Sequence, residues 1–229
     1  MFTQTVDLAK TSVRELNQRL HELDAERDEE RWRILNPSGA HAIACGLRVP
    51  VTVEIEGHAG YYCAGMNQKA TVIVHGNVAT GVAENMMSGI VHVYGNASQS
   101  AGATAHGGLL VVEEDASARC GISMKGIDIV IKGSVGHMSA FMAQTGNLIV
   151  CGDTGDALGD SIYEARLFVR GKVKSLGTDC IEKEMRPEHL QLLETLLERA
   201  GSDGRPEEFR RYGSARKLYQ FQTDHASLY

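Results

Sequence analysis

A period of 19 residues runs without drift through the middle of the chain. Gly57, Gly76, Gly95, Gly133, Gly152 and Gly171 fall on it, with Glu114 in the one slot that lacks glycine. Four residues before each of these seven marks stand Val53, Val72, Val91, Leu110, Ile129, Leu148 and Leu167; two before stand Ile55, Val74, Val93, Val112, Ile131, Val150 and Val169. Side chains two apart on a strand point to one face, so both aliphatic columns face the same way and each repeat reads as a short strand ended by a turn. A strand that short buries no core alone. Identical units must stack, and the period predicts a mainly β fold, a parallel β-solenoid of about seven coils.

Other columns agree. Seven residues after the mark come Ala64, Ala83, Gly102, Gly121, Ala140 and Gly159, and the preceding phase gives Cys45. A column of small residues is what a tight interior corner requires. A second small column, Ala70, Gly89, Gly108, Gly146 and Ala165, has its sixth member, Gly126, displaced by one in the repeat that carries Glu114, which predicts an irregular coil there. Asp115 and Asp153 share a turn column with Asn77, Asn96 and Ser134, so they read as turn residues. Asp153, Asp156 and Asp160 are therefore not taken as calcium ligands, and the nonapeptide pattern of calcium-binding rolls is absent.

The period ends near Gly171, which divides the chain into an N-terminal helical extension (1–35), a β-helix (36–180) and a C-terminal helix with an aromatic and basic tail (181–229). Val13, Leu16, Leu20 and Leu23 have helical spacing, and the charged stretch from Asp24 to Arg33 reads as a solvated helix face or linker. Pro187, the stripe Leu190, Leu193, Leu196 and Leu197, and Gly201 as stop predict a second helix. Both helices suit capping of the solenoid's ends or docking to another subunit.

One outward column, Glu54, Ile73, His92, Val111, Val130, Ile149 and Phe168, is mostly apolar where water is expected. Either the chain's own helices or another protein covers it. The tail holds Phe209, Tyr212, Tyr219 and Phe221 among Arg210, Arg211, Arg216 and Lys217, the composition of an interface. The candidate partner interface is therefore Ile73, Val111, Val130, Ile149, Phe168, Phe209, Arg210, Arg211, Tyr212, Tyr219 and Phe221. Deletion of 206–229 is expected to weaken assembly and leave the solenoid folded.

No catalytic, cofactor-binding or metal residue is assigned. His58, His75 and His92 are 17 apart and step to different columns of the 19-residue repeat, so they are not expected to converge. The Gly-Xaa-Xaa-Gly runs follow strands without opening a helix, so the nucleotide fingerprints do not apply. Five cysteines without a Cys-Xaa-Xaa-Cys spacing argue against a disulfide framework and against a zinc or iron–sulfur site. A net charge of −6 gives no reason to expect nucleic acid or an anionic membrane as partner. The absence of a leader and of a long apolar run leads to the expectation of a cytoplasmic protein.

The glycine punctuation at this period, as in Gly152-Asp-Thr-Gly155-Asp-Ala-Leu-Gly159, resembles the GXGXG domain, the C-terminal β-helix of the glutamate synthase large subunit. The resemblance implies right-handed coils with an architectural role. The segments Thr11-Ser-Val-Arg-Glu-Leu-Asn17 and Phe209-Arg-Arg-Tyr-Gly-Ser-Ala-Arg-Lys-Leu-Tyr219 are similar to those of the stand-alone small subunit of N-methylglutamate synthase, also called methylamine-glutamate N-methyltransferase. That likeness implies two kinds of partner, a glutamine amidotransferase-like subunit and an FMN-binding subunit. It further implies that FMN and an iron–sulfur cluster are held by the partner chain, with no cofactor expected in this one. The chain begins Met1-Phe2 and lacks the N-terminal cysteine nucleophile of the amidotransferase. Two other readings are the β-helical subunit of a formylmethanofuran dehydrogenase or formyltransferase/hydrolase complex, and a free-standing scaffold. A hexapeptide acyltransferase would repeat in sixes with a period of 18, which a fixed 19 opposes.

Overall fold

A computed structural model describes residues 2–24 and 30–218. The seven predicted strands form as β3 (Thr52–Glu56), β4 (Thr71–Val74), β5 (Ile90–Val93), β6 (Leu109–Val112), β7 (Lys125–Ile131), β8 (Thr145–Val150) and β9 (Arg166–Val169), numbered after two earlier strands described below. Each pairs in parallel with the next, and both aliphatic columns stay in register from Val53↔Val72 to Leu148↔Leu167. All fourteen side chains of these columns are buried. The fold is a parallel β-solenoid. Its predicted irregular coil carries a register shift between Lys125 and Asp128, beside the displaced Gly126.

Each coil has a second pairing point two residues past the mark, linking Ala59, Val78, Ala97, Ala116, Val135, Thr154 and Val173 by single parallel bridges. Between them the turn column forms a side-chain ladder. Asn77 Oδ1 accepts from Asn96 N at 2.8 Å, Asn96 Oδ1 from Asp115 N at 3.1 Å, Asp115 Oδ1 from Ser134 N at 2.7 Å and Ser134 Oγ from Asp153 N at 3.0 Å. Asp153 Oδ1 continues it to Lys172 N, and His58 Nδ1 begins it by accepting from Asn77 N. Each short polar side chain thus satisfies a backbone donor one coil along, which is why Asp, Asn and Ser fill this column.

The third side of the coil is built from left-handed residues. Tyr62, Ala64 and Met66 have φ of 59°, 54° and 57°, and Met138, Ala140 and Met142 repeat the pattern four coils on. Such residues cost roughly 1–3 kcal/mol each where the surroundings do not fix them. Here hydrogen bonds hold them: Tyr62 N donates to Thr80 O, Ala64 N to Ile43 O and Met66 N to Glu84 O, alternately to the following and preceding coils. The inner member must also be small. At Gly102, φ 67°, an added Cβ would lie 2.6 Å from Ile129 Cδ1.

The ends differ from a simple helical extension. Residues before 36 contribute two strands, β1 (Gln4–Asp7) and β2 (Arg31–Leu35), which continue the parallel sheet onto β3. Arg31–Leu35 is thus neither helix face nor linker: Trp32 and Ile34 face the core, and Arg31 and Arg33 face outward. The register Trp32↔Val53 makes this coil 21 residues long, two more than the repeat. Between them α1 (Val13–His21) begins in a Ser12/Glu15 capping box, with Leu16 and Leu20 buried. It closes the open end of the solenoid. Asn17 Nδ2 donates to Ala42 O at 2.7 Å, Asn17 Oδ1 accepts from Ala44 N at 3.0 Å, and His21 Nε2 lies 2.7 Å from Cys45 O. The backbone groups of the first corner, left without a preceding coil, are met by side chains of the helix.

At the other end β10 (Cys180–Lys183) leads into α2 (Pro187–Arg199), with proline in its first turn. The chain then returns as β11 (Arg210–Ser214), inserted antiparallel between β9 and β10. Helix α2 lies across the outward face of the later coils. Leu193, Leu196, Leu197 and Ala200 pack with Leu109, Val111, Val130, Ile149, Phe168 and Phe209 as a second core. Each of those leucines contributes about 1.5–3 kcal/mol of burial. Val111, Val130, Ile149, Phe168 and Phe209 are therefore not a free partner surface, because the chain's own helix covers them. Tyr212 is buried in the main core. The tail through Ser214 is part of the sheet.

Candidate functional site

Helix α2 covers the outward face only from β6 onward. Among the described residues α2 does not reach that face on β2 to β5, where the alternation of each strand sets out Arg31, Arg33, Glu54, Glu56, Ile73, His75, Ile90, His92 and Tyr94, with Phe2 lying against Arg31 and Arg33. Ile73 is half-buried; Tyr94 is 50% exposed and Ile90 37%.

The polar members form ion-paired clusters. Arg31 Nε donates to Glu54 Oε1 at 2.7 Å and its Nη2 bonds the same oxygen, while Arg33 Nε donates to Glu56 Oε1 at 2.7 Å. His75 Nε2 lies 3.4 Å from Glu54 Oε2. His92 Nε2 lies 2.6 Å from Glu113 Oε1, and Lys132 Nζ is 2.8 Å from Glu113 and 3.0 Å from Gly201 O, just past the end of α2. Tyr94 joins the two histidines, stacking on His75 at 5.1 Å between centroids and on His92 at 4.6 Å.

The histidines do converge, against the expectation from their spacing. A separation of 17 is one coil less two residues, and two residues is one step along the same strand face, so His75 and His92 are diagonal neighbours on one face. His58 belongs to the turn ladder instead.

Glu54, Glu56 and His75 bring three ligand atoms within 4.8 Å of one another. Two carboxylates and an imidazole suit a divalent cation in principle. Here Arg31 and Arg33 already neutralise both carboxylates, so the arrangement works as an ion-pair network. Burial pushes the Glu54 carboxyl up, but hydrogen bonds from Arg31 and His75 and their charges outweigh it and hold Glu54 below its ordinary value. Glu113 is likewise raised by burial and lowered further by Lys132 and His92. A carboxylate with a depressed folded value stabilises the fold above its unfolded value, and that stability is lost as pH falls through the folded value. Glu113→Gln is expected to lower the melting temperature near neutral pH and to flatten its decline below 4.5. Thermal melts across that range check this, and parallel acid limbs for the two proteins would refute it.

None of the five cysteines is poised as a nucleophile. Burial raises every thiol, that of Cys120 to about 12 and, with help from Asp179 and Asp160, that of Cys180 to about 12. A thiolate is the reactive form, and these sites disfavour it. The remaining interface candidates are dispersed. Arg210 is exposed, with Nη2 donating to Gly171 O at 3.0 Å; Arg211 is half-buried, with Nε donating to Glu184 O at 3.1 Å. Tyr219 and Phe221 lie outside the described residues. No helix among the described residues is long and apolar enough to cross a membrane.

No family model matches the chain. It is 62% identical over 225 residues to Protein GlxC of Rhizobium meliloti (strain 1021), an alignment that covers 98% of this chain and 99% of that protein. The match runs over nearly the whole of both chains, and the chain belongs to the GlxC family.

Proposed function

We propose that the chain is an architectural subunit of a multi-subunit glutamate synthase-like enzyme, with the chemistry carried on separate chains. The observation that carries this reading is the half-covered sheet. Helix α2 seals the outward face of the later coils and leaves that of β3 to β5 open, with Ile73, Ile90 and Tyr94 upon it. Around the corner of the same coils Tyr61, Tyr62, Met66 and Met87 are all about half exposed. Aromatic residues and methionine beside an ordered polar network have the composition of an interface. The raised thiols support a role without a cysteine nucleophile in this chain.

The finer reading is N-methylglutamate synthase, in which methylamine and L-glutamate give N-methyl-L-glutamate and ammonia. Its support is the likeness of the opening and closing segments. An amidotransferase-like chain and an FMN-binding chain with an iron–sulfur cluster are then the partners, and the open face of β3 to β5 receives one of them. The purified chain is expected to show no flavin absorbance, no amidotransferase activity and no turnover of methylamine with glutamate. Mixing it with the two partner chains is expected to restore methylamine-dependent formation of N-methylglutamate. Turnover by the isolated chain, or full activity of the partners without it, would overturn the proposal.

A further inference from the structure

The outward face carries a second concentration of charge, at the opposite end of the sheet. Alternation on β10 and β11 puts Lys183 and Arg211 on this face, and the antiparallel register sets them directly opposite one another. On β9, Arg166 lies two residues from Phe168, the register partner of Arg211. Gly213, on the same face as Arg211, adds no side chain. These residues, together with Thr145, Tyr163 and Arg216, line a groove of about 450 Å³. That is within the roughly 300–1,000 Å³ usual for small-molecule sites.

The charges in this groove are not balanced as they are elsewhere on the face. Arg31, Arg33 and Lys132 each meet a carboxylate. Among the described residues, four cations line the groove against one carboxylate, Glu164, and Arg216 Nη2 already holds that one at 2.7 Å. Arg211 has a backbone carbonyl for its Nε, and no carboxylate of the described residues pairs with Arg166, Lys183 or Arg211. Like charges placed directly across a strand pair are destabilising. The crowding is felt at Arg211, where burial and then the charges of Arg186 and Arg166 lower the guanidinium from its ordinary value. In a chain of net charge −6, a concave, partly desolvated set of cations in excess over carboxylates has the form of an anion receptor.

We propose that this groove binds a small dianion, a molecule bearing two carboxylates or a phosphate group, held by Arg166, Lys183 and Arg211. The planar guanidinium groups suit either oxyanion in a bidentate pose, and the lysine adds a point charge.

The test uses the full chain and two probes, inorganic phosphate and glutarate, titrated calorimetrically against sodium chloride of matched ionic strength. One or both probes are expected to bind saturably with one site per chain. Phosphate alone identifies a phosphate group as the ligand chemistry, glutarate alone a dicarboxylate, and both a shared dianion site. Arg166→Gln with Lys183→Gln is expected to weaken binding by about tenfold or more, the consequence of losing charge-assisted hydrogen bonds. Neither side chain has an ion-pair partner among the described residues to leave stranded, so the double variant is expected to melt in chloride no lower than the unsubstituted chain. A groove built instead for an acidic segment of another protein leaves both probes unbound. Absence of saturable binding by either probe, or equal affinity in the double variant, overturns the assignment.

Discussion

Val93→Asp is expected to abolish the cooperative melting transition of the chain, whereas Tyr94→Asp, one residue on, melts within about 5 °C of the unsubstituted protein. Val93 is fully buried between Val74 of the preceding coil and Val112 of the next. An aspartate there has no partner, and burying it costs several kcal/mol whether it stays charged or takes up a proton and leaves an unsatisfied carboxyl in the core. Because every coil contacts its neighbours, the loss spreads along the stack. Tyr94 points outward and half of it meets solvent. Its replacement loses stacking on two histidines, about 0.5–1.5 kcal/mol for an aromatic pair, and strands no charge in the core. Differential scanning calorimetry of the two variants is the check, and equal melting temperatures would refute the inward and outward assignment.

Deletion of residues 206–229 is expected to lower the melting temperature by about 10–20 °C and to strip hydrogen-exchange protection from β9, β10 and α2. This departs from the expectation that the tail serves docking alone. The deletion removes β11, which separates β9 from β10, so β10 loses its ladder partner and β9 one of its two. It also removes the buried rings of Phe209, beneath α2, and Tyr212, in the main core. Losing a buried aromatic ring costs about 3–5 kcal/mol. Protection in β3 to β5 is expected to survive, because solenoid coils depend chiefly on their immediate neighbours. An unchanged melting temperature with full protection of α2 would show that the tail strand adds nothing to the fold.

The columns at the 19-residue period are legible in the sequence because stacking translates one local geometry through every coil. The strand ladders, the Asx turn column, the small corner and the irregular coil at Gly126 all follow from it. Strand β2 escapes the pattern since its coil is two residues longer, which takes Trp32 and Ile34 off the period and lets the flanking arginines read as a linker. The left-handed residues Tyr62 and Met138 carry no residue-type signal; hydrogen bonds to neighbouring coils impose their conformation. The pairing of β11 with β9 is antiparallel and joins segments about forty residues apart, and no periodicity encodes it. The His75–Tyr94–His92 stack was within reach, since a spacing of one period less two residues preserves the face. The basic groove was not, because its residues come from four separate segments that meet only when the tail returns to the sheet.

Native mass spectrometry of the assembly isolated with a tag on this chain tests whether the chain is an architectural subunit of a larger enzyme. The expected result is a heteromeric complex holding this chain, an amidotransferase-like chain and an FMN-bearing chain in fixed proportion. Dissociation is expected when Ile73→Asp and Tyr94→Asp are combined on the open face of a chain that still folds. Recovery of the tagged chain by itself from its native source would show that it is no subunit of a larger enzyme.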